Sequence, residues 1–254
     1  MTQGAGIPEP HPTWIPSPKW VRVMFGGEII ADSKRAMLHL EAGKPPVYFF
    51  PQDDVRKEHL SPAENPTSPP GGGANRWTVA VGDKVAEDAA WAYPNPEPGA
   101  PEFAGYIAFA WHKMDAWFEE DEEVSVHPRD PFKRVDVARS SRHVRIVVNG
   151  TDIAESTRPT LLFETGLRTR YYLPKLDVRM DLLLPSERVS HCPYKGEAHY
   201  YSAHVQGQVA QDVAWYYPSP TPCVAPIANL ISFYDEHVEA VYVDGERQPK
   251  LMPQ

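Results

Sequence analysis

Hydrophobic and polar positions alternate over short stretches along most of this chain. VRVMF from Val21 and VRIVV from Val144 alternate or run β-branched until a glycine-containing turn, FGGE in one case and NGTD in the other. That is the pattern of a β-hairpin. MLHLE and LLFET each supply the next strand, and VYFFP and RYYLP are aromatic strands closed by proline. WTVAVGDKVAEDAAWAYP and YSAHVQGQVAQDVAWYYP each read as two strands about a glycine turn. The best helix candidates follow the proline clusters, Glu102 to His112 and Pro226 to His237, where short apolar runs leave the element type open.

These elements come in two ordered sets. Val21, Arg22, Gly27, Ala31, Ser33, Arg35, Leu38, Glu41 and Gly43 have identical partners about 123 residues on, and Tyr48/Tyr171, Pro51/Pro174 and Asp54-Val55-Arg56/Asp177-Val178-Arg179 continue the register. After a slip of one residue, VAEDAAWAYPNPEP from Val85 lies on VAQDVAWYYPSPTP from Val209, and GYIAFAWHKMDAWF lies on NLISFYDEHVEAVY. The chain is an internal duplication. The expected divisions are an N-terminal arm over 1–19, a first repeat over 20–118, a charged surface linker over 119–142, a second repeat over 143–248 and a tail over 249–254.

The second copy runs VRIVVNG, ESTRPTLLFETG, YYLP, DVRMDLL, HCPYKGEAHYY, DVAWYYPSP and VYVDGE. In the order and spacing of these segments the chain resembles the domain-of-unknown-function family 427, in tandem form. The resemblance implies a mainly β fold of the β-tent type, two antiparallel sheets crossing steeply around a pocket, once per repeat and with a short helix in each. Relatives with that fold bind structural zinc through paired cysteines. This chain has only Cys192 and Cys223, so zinc does not carry over, and no activity comes with the family.

Composition narrows the field further. A formal net charge of -9 argues against nucleic acid as a partner. No stretch approaches the length of a membrane span. The start, MTQGAGIPEPHPTW, lacks a basic and apolar leader, so a cytoplasmic location with reduced thiols is expected. No cofactor is expected, and no metal, because His199 and His204, five apart with His191 upstream, reach the same side of a strand only if a bulge intervenes. The two repeats are expected to pack on each other in a monomer.

The densest group of reactive side chains is His191-Cys192-Pro193-Tyr194-Lys195-Gly196, where the first copy has Thr67-Ser68-Pro69-Pro70-Gly71-Gly72. Lys195 and Tyr194 are candidates for ligand contact or acid–base work, and Cys192 for a nucleophile. The plainer reading is a bend with a small thiol and a packed tyrosine. Asp88, Trp91 and Tyr93 recur as Asp212, Trp215 and Tyr217. In an extended segment the Trp and Tyr share one face, as a core wall or the wall of a pocket, while the aspartate faces the other side unless a bulge re-aims it. Arg35/Arg158, Glu41/Glu164 and Arg56/Arg179 also recur. Together with Asp54/Asp177 they read as structural pairs between arginine and carboxylate that fix a turn or pin two sheets, or as Arg158 or Arg179 recognising a ligand's carboxylate or phosphate. The favoured expectation is a small-molecule site in the second repeat, formed by Trp215, Tyr217, Tyr194 and Lys195 with Asp212, Arg158, Glu164 and Arg179 in support. The rivals are an enzyme using the same groups and a protein-interaction scaffold.

Overall fold

A computed structural model of the chain describes residues 14–64, 73–96 and 100–250. The chain divides into two compact units, Met1–Phe132 and Lys133–Gln254. The first contains β1 (Trp14–Pro16), β2 (Val21–Phe25), β3 (Glu28–Ser33), β4 (Met37–His39), β5 (Val47–Pro51), β6 (Leu60–Pro62), β7 (Asn75–Val81), β8 (Lys84–Ala92), β9 (Tyr106–Phe109), β10 (Ala116–Glu119) and β11 (Glu122–Glu123). The second contains β12 (Val135–Arg139), β13 (Val144–Val148), β14 (Thr151–Ser156), β15 (Thr160–Glu164), β16 (Arg170–Tyr172), β17 (Leu183–Cys192), β18 (Gly196–Val205), β19 (Gln208–Tyr216), β20 (Ser232–Phe233), β21 (Ala240–Val243) and β22 (Glu246–Arg247).

The two units share one topology. The first has a seven-stranded sheet, β1-β4-β5-β9-β8-β7-β6, and a four-stranded sheet, β11-β10-β2-β3. The second repeats the long order as β12-β15-β16 and β20-β19-β18-β17, joined through a Leu173↔Ile231 bridge, and the short one as β22-β21-β13-β14. Alternation puts Val21, Val23 and Phe25 of β2 in the first core with Phe50, Ile107 and Trp117. Val144, Ile146 and Val148 of β13 do the same with Leu173, Ile231 and Val241. The first hairpin turns use positive φ at Gly26 and Gly27 and at Asn149 and Gly150, as two-residue turns of this hand require.

Three sequence expectations are altered. The segments read as helix are not α-helical, and every helical turn among the described residues is of 3-10 type. Within Glu102–His112, Tyr106–Phe109 is strand β9; within Pro226–His237 lie the end of a 3-10 stretch and β20. Ile107, Ala108 and Phe109 are all buried, and a strand covered on both faces loses the alternation that distinguishes it from helix. Trp14–Pro16, in the segment read as an arm, pairs with β4. Val135–Arg139, in the segment read as linker, pairs with β15 at the equivalent register, because Val135 and Val137 face an apolar cluster. The Thr67–Gly72 stretch lies outside the described residues.

Both long hairpins are bulged at the same place. Pairing runs from Trp77↔Ala90 to Val79↔Ala86 in the first unit and from Tyr201↔Ala214 to Ala203↔Ala210 in the second. The extra residues include Asp88 and Asp212, at φ 48 and 49. This is the bulge on which the aspartate's direction depended.

A second repeated device ties the end of the first hairpin to the 3-10 turn that follows the aromatic strand. Buried Ser33 donates to Asp54 at 2.6 Å, and Arg35 Nη2 reaches the same carboxylate at 2.5 Å. Ser156, Asp177 and Arg158 repeat it at 2.7 and 2.8 Å. Asp177→Ala strands the buried Ser156 hydroxyl and should cost about 1–3 kcal/mol. Arg158→Ala, whose side chain is mostly exposed, should cost less than about 1 kcal/mol. Chemical denaturation of both variants checks the ordering.

Candidate ligand site in the second unit

Glu164 ends β15 with its side chain only 4% exposed. Both carboxylate oxygens are taken. Lys195 Nζ bonds Oε2, and Lys133 Nζ lies 3.0 Å from Oε1. Burial opposes the charged form of Glu164, yet the two ammonium groups outweigh it and hold the carboxyl below its ordinary value. The same balance, with burial the largest opposing effect, leaves the Lys133 ammonium above its ordinary value. Lys133 Nζ also sits 5.4 Å from the centre of the Tyr194 ring, a cation–π contact.

The local chain explains why Lys195 is there. Cys192 pairs with Gly196 to close the β17–β18 hairpin, and Lys195 N–H donates to Cys192 O at 3.2 Å. Thr221 anchors the turn from outside, its N–H donating to Lys195 O at 3.1 Å and its hydroxyl to Tyr194 O at 2.7 Å. Gly196 has φ 101, and a Cβ there would lie 3.2 Å from Ser219 O. Only glycine fits both conditions.

Trp215 and Tyr217 share one face, as their spacing requires, and lie buried with Leu162, Tyr172, Tyr200, Val224 and Ile227. Trp215 Nε1 donates to Tyr172 Oη at 3.2 Å. Tyr200 Oη is 2.6 Å from Ser190 Oγ and 3.3 Å from Tyr234 Oη. Ser232, paired with Trp215, is wholly buried, and its hydroxyl has no hydrogen-bond partner among the described residues. Burial raises the Tyr172, Tyr217 and Tyr234 phenols, which stay protonated.

The matching face of the first unit is filled. Register equates Trp14, Phe49, Arg76 and Ala108 with Val137, Tyr172, Tyr200 and Ser232. Phe103 and Ile227 correspond too, each two residues before a positive-φ residue, Gly105 or Asn229. Phe103 stacks on Phe49 at 5.0 Å and meets Trp14 edge-on at 4.9 Å. The second unit therefore exchanges two large apolar rings for Val137 and Ile227 and gains hydroxyls at Tyr172, Tyr200 and Ser232. Glu41, the counterpart of Glu164, is half exposed and pairs with Lys44 at 2.5 Å. Trp91 and Tyr93 pack against the filled cluster.

The remaining candidates lie in other contacts. Arg158 is held by Asp177, and Arg179 by Asp181 at 2.6 Å. Arg56 pairs with Glu28 at 3.0 Å. Asp212 accepts from Ser186 Oγ at 2.5 Å and Gln211 at 3.0 Å, where Asp88 is bonded by Arg76 Nε. His191 and His199 both bond Glu197 on the surface, at 3.0 and 2.8 Å. Among the described residues no group of three or more His, Cys, Asp or Glu side chains is arranged to hold a metal, and no helix is long and apolar enough to cross a membrane. The first unit has a cleft of about 410 Å³ beside Glu64, Asp88 and Lys113. There the Lys113 ammonium donates to the Glu87 and Asp88 carbonyls at 2.8 and 3.1 Å. Lys133, Tyr172, Tyr200, Tyr234 and Ser232 were not singled out from sequence. The Phe49/Tyr172 difference between the aligned copies is a sequence signal that could have found this face.

Two tandem, mainly β units of antiparallel sheets, the second holding the Lys133–Glu164–Lys195 cluster, define the class of protein. A family profile described as "Domain of unknown function (DUF427)" matches residues 13–120 and again 136–244, so the chain belongs to that family, in tandem form. No curated protein matches the chain.

Two expectations follow. Gly196→Ala should cost about 1–3 kcal/mol through backbone strain, seen as a lower Tm. Because the Glu164 carboxyl is lowered in the folded state, its contribution to stability is full above its ordinary value of 4.5 and is lost as pH falls through the lowered folded value. Glu164→Gln should flatten that acid limb in denaturation curves taken from neutral pH downward.

Proposed function

We propose that the second unit is a binding module for a small polar molecule, and that the first unit is its filled, structural counterpart. The observation that carries this reading is the exchange across the face that the two copies share by register. Where the first unit packs Trp14 and Phe103, the second has Val137 and Ile227, with the Tyr234 ring in place of Ala110 against Trp215, added hydroxyls and two lysines around the buried Glu164 carboxylate. Stability alone would favour the aromatic filling, since buried polar groups without full partners cost about 1–3 kcal/mol each. An unpartnered serine hydroxyl and a rigid set of aromatic rings are what a site needs to orient a bound molecule. The family brings no activity, so the reading rests on this chemistry. The β-tent arrangement belongs to the same proposal, as the geometry that would make the face concave.

Thermal-shift screening of the full chain against a metabolite library tests it. Compounds that raise the Tm should lose their effect in Lys195→Ala and in Ile227→Phe, which restores the first unit's ring. Trp91→Phe in the first unit should leave the response intact. If no compound separates the wild type from both second-unit variants, the reading fails.

A further inference from the structure

We infer that the second unit's ligand carries an oxyanion group, a carboxylate or a phosphate, which is held by Lys133 and Lys195. This rests on the binding-module reading and specifies the chemistry of the same site. The argument is a count of charges in a partly desolvated place. Two ammonium groups share one carboxylate, which leaves one positive charge over. The Lys195 and Glu164 side chains are 14% and 4% exposed, and that of Lys133 is 29% exposed. Lys195 and Lys133 both hold the Glu164 carboxyl in its charged form, and Glu164 in turn favours the charged form of Lys133.

A surplus charge in such a place is costly unless an anion offsets it. Each ammonium has three N–H donors, and each places a hydrogen bond to Glu164 within the protein. Donors therefore remain for a second acceptor. Glu164 has the opposite role. With both oxygens occupied, it orients the two lysines and tempers their charge. The tyrosine of the hairpin turn lies against Lys133 on its aromatic face, which suits a ligand whose acid group adjoins a flat ring. At the equivalent place in the first unit Glu41 is half exposed and pairs with Lys44, one cation to one carboxylate.

The test titrates the full chain, in a buffer free of phosphate and organic acids, with benzoate, its uncharged counterpart benzyl alcohol, and inorganic phosphate. Binding is followed by Tm and by perturbation of Tyr and Trp fluorescence. Benzoate or phosphate should bind and benzyl alcohol should not. Lys133→Gln should weaken anion binding tenfold or more, and Glu164→Gln should strengthen it. A response to phosphate alone assigns a phosphate-bearing ligand, and a response to benzoate alone a carboxylate. If Glu164→Gln does not fold, Lys133→Gln decides. Binding of benzyl alcohol as strong as that of benzoate, unchanged in Lys133→Gln, overturns the oxyanion inference and leaves the binding module standing. So does silence from both anions while a neutral library compound binds. Silence from these probes and from the library overturns both.

Discussion

Each unit depends on a constraint set by its longest hairpin. A seven-stranded surface and a four-stranded sheet share one core only if the long strands bend toward it, and a flat antiparallel ladder resists bending. The left-handed aspartates supply the bend. Asp88 and Asp212 keep the same φ in copies that have diverged at most other positions. Around them the partners have changed: Arg76 serves Asp88, while Ser186 and Gln211 serve Asp212. The backbone geometry persisted and the side chains that satisfy it were replaced. With the bend fixed, Trp215 and Tyr217 must face inward, and what lies opposite them decides whether the face is core or site.

The copies resolve that choice differently. In the first, Trp14, Phe49 and Phe103 interlock by edge and stacking contacts. In the second, the same places hold Val137, Tyr172 and Ile227, and the polar atoms introduced are partly satisfied by one another. Glu164 shows how much surrounding structure one buried charge requires. Its lysines come from separate parts of the unit, one just before β12 and one from the β17–β18 turn, and the turn is pinned by Thr221. The carboxylate thus ties the first strand of the unit to its longest hairpin.

The duplication, the hairpins and the aromatic walls were legible from sequence because each leaves a periodic trace. Period-two alternation marks β2 and β13, and Asn149-Gly150 and Asp244-Gly245 mark turns. The aspartate bulge was legible as a condition, since Asp88 and Asp212 stand at a spacing that suits an inward role only if the strand is interrupted. Strand β9 was hidden because burial on both faces erased its alternation. Lys133 was hidden for the opposite reason. It lies in a run of charges that reads as solvated linker, and only the pairing of β12 with β15 brings it to Glu164. The contrasts Phe49/Tyr172 and Ala108/Ser232 stood in the aligned copies, but their meaning depended on learning that both positions flank Trp215.

The hydroxyl row formed by Ser190, Tyr200 and Tyr234 has a property that no amide or carboxylate pair shares. Each oxygen can give or receive, so the direction of donation along the row is not fixed by the covalent structure. Rotating the protons reverses the whole row without moving a heavy atom. Such a row can answer a donor at one end as readily as an acceptor, and it carries that change of polarity across the strands from β17 to the segment following β20.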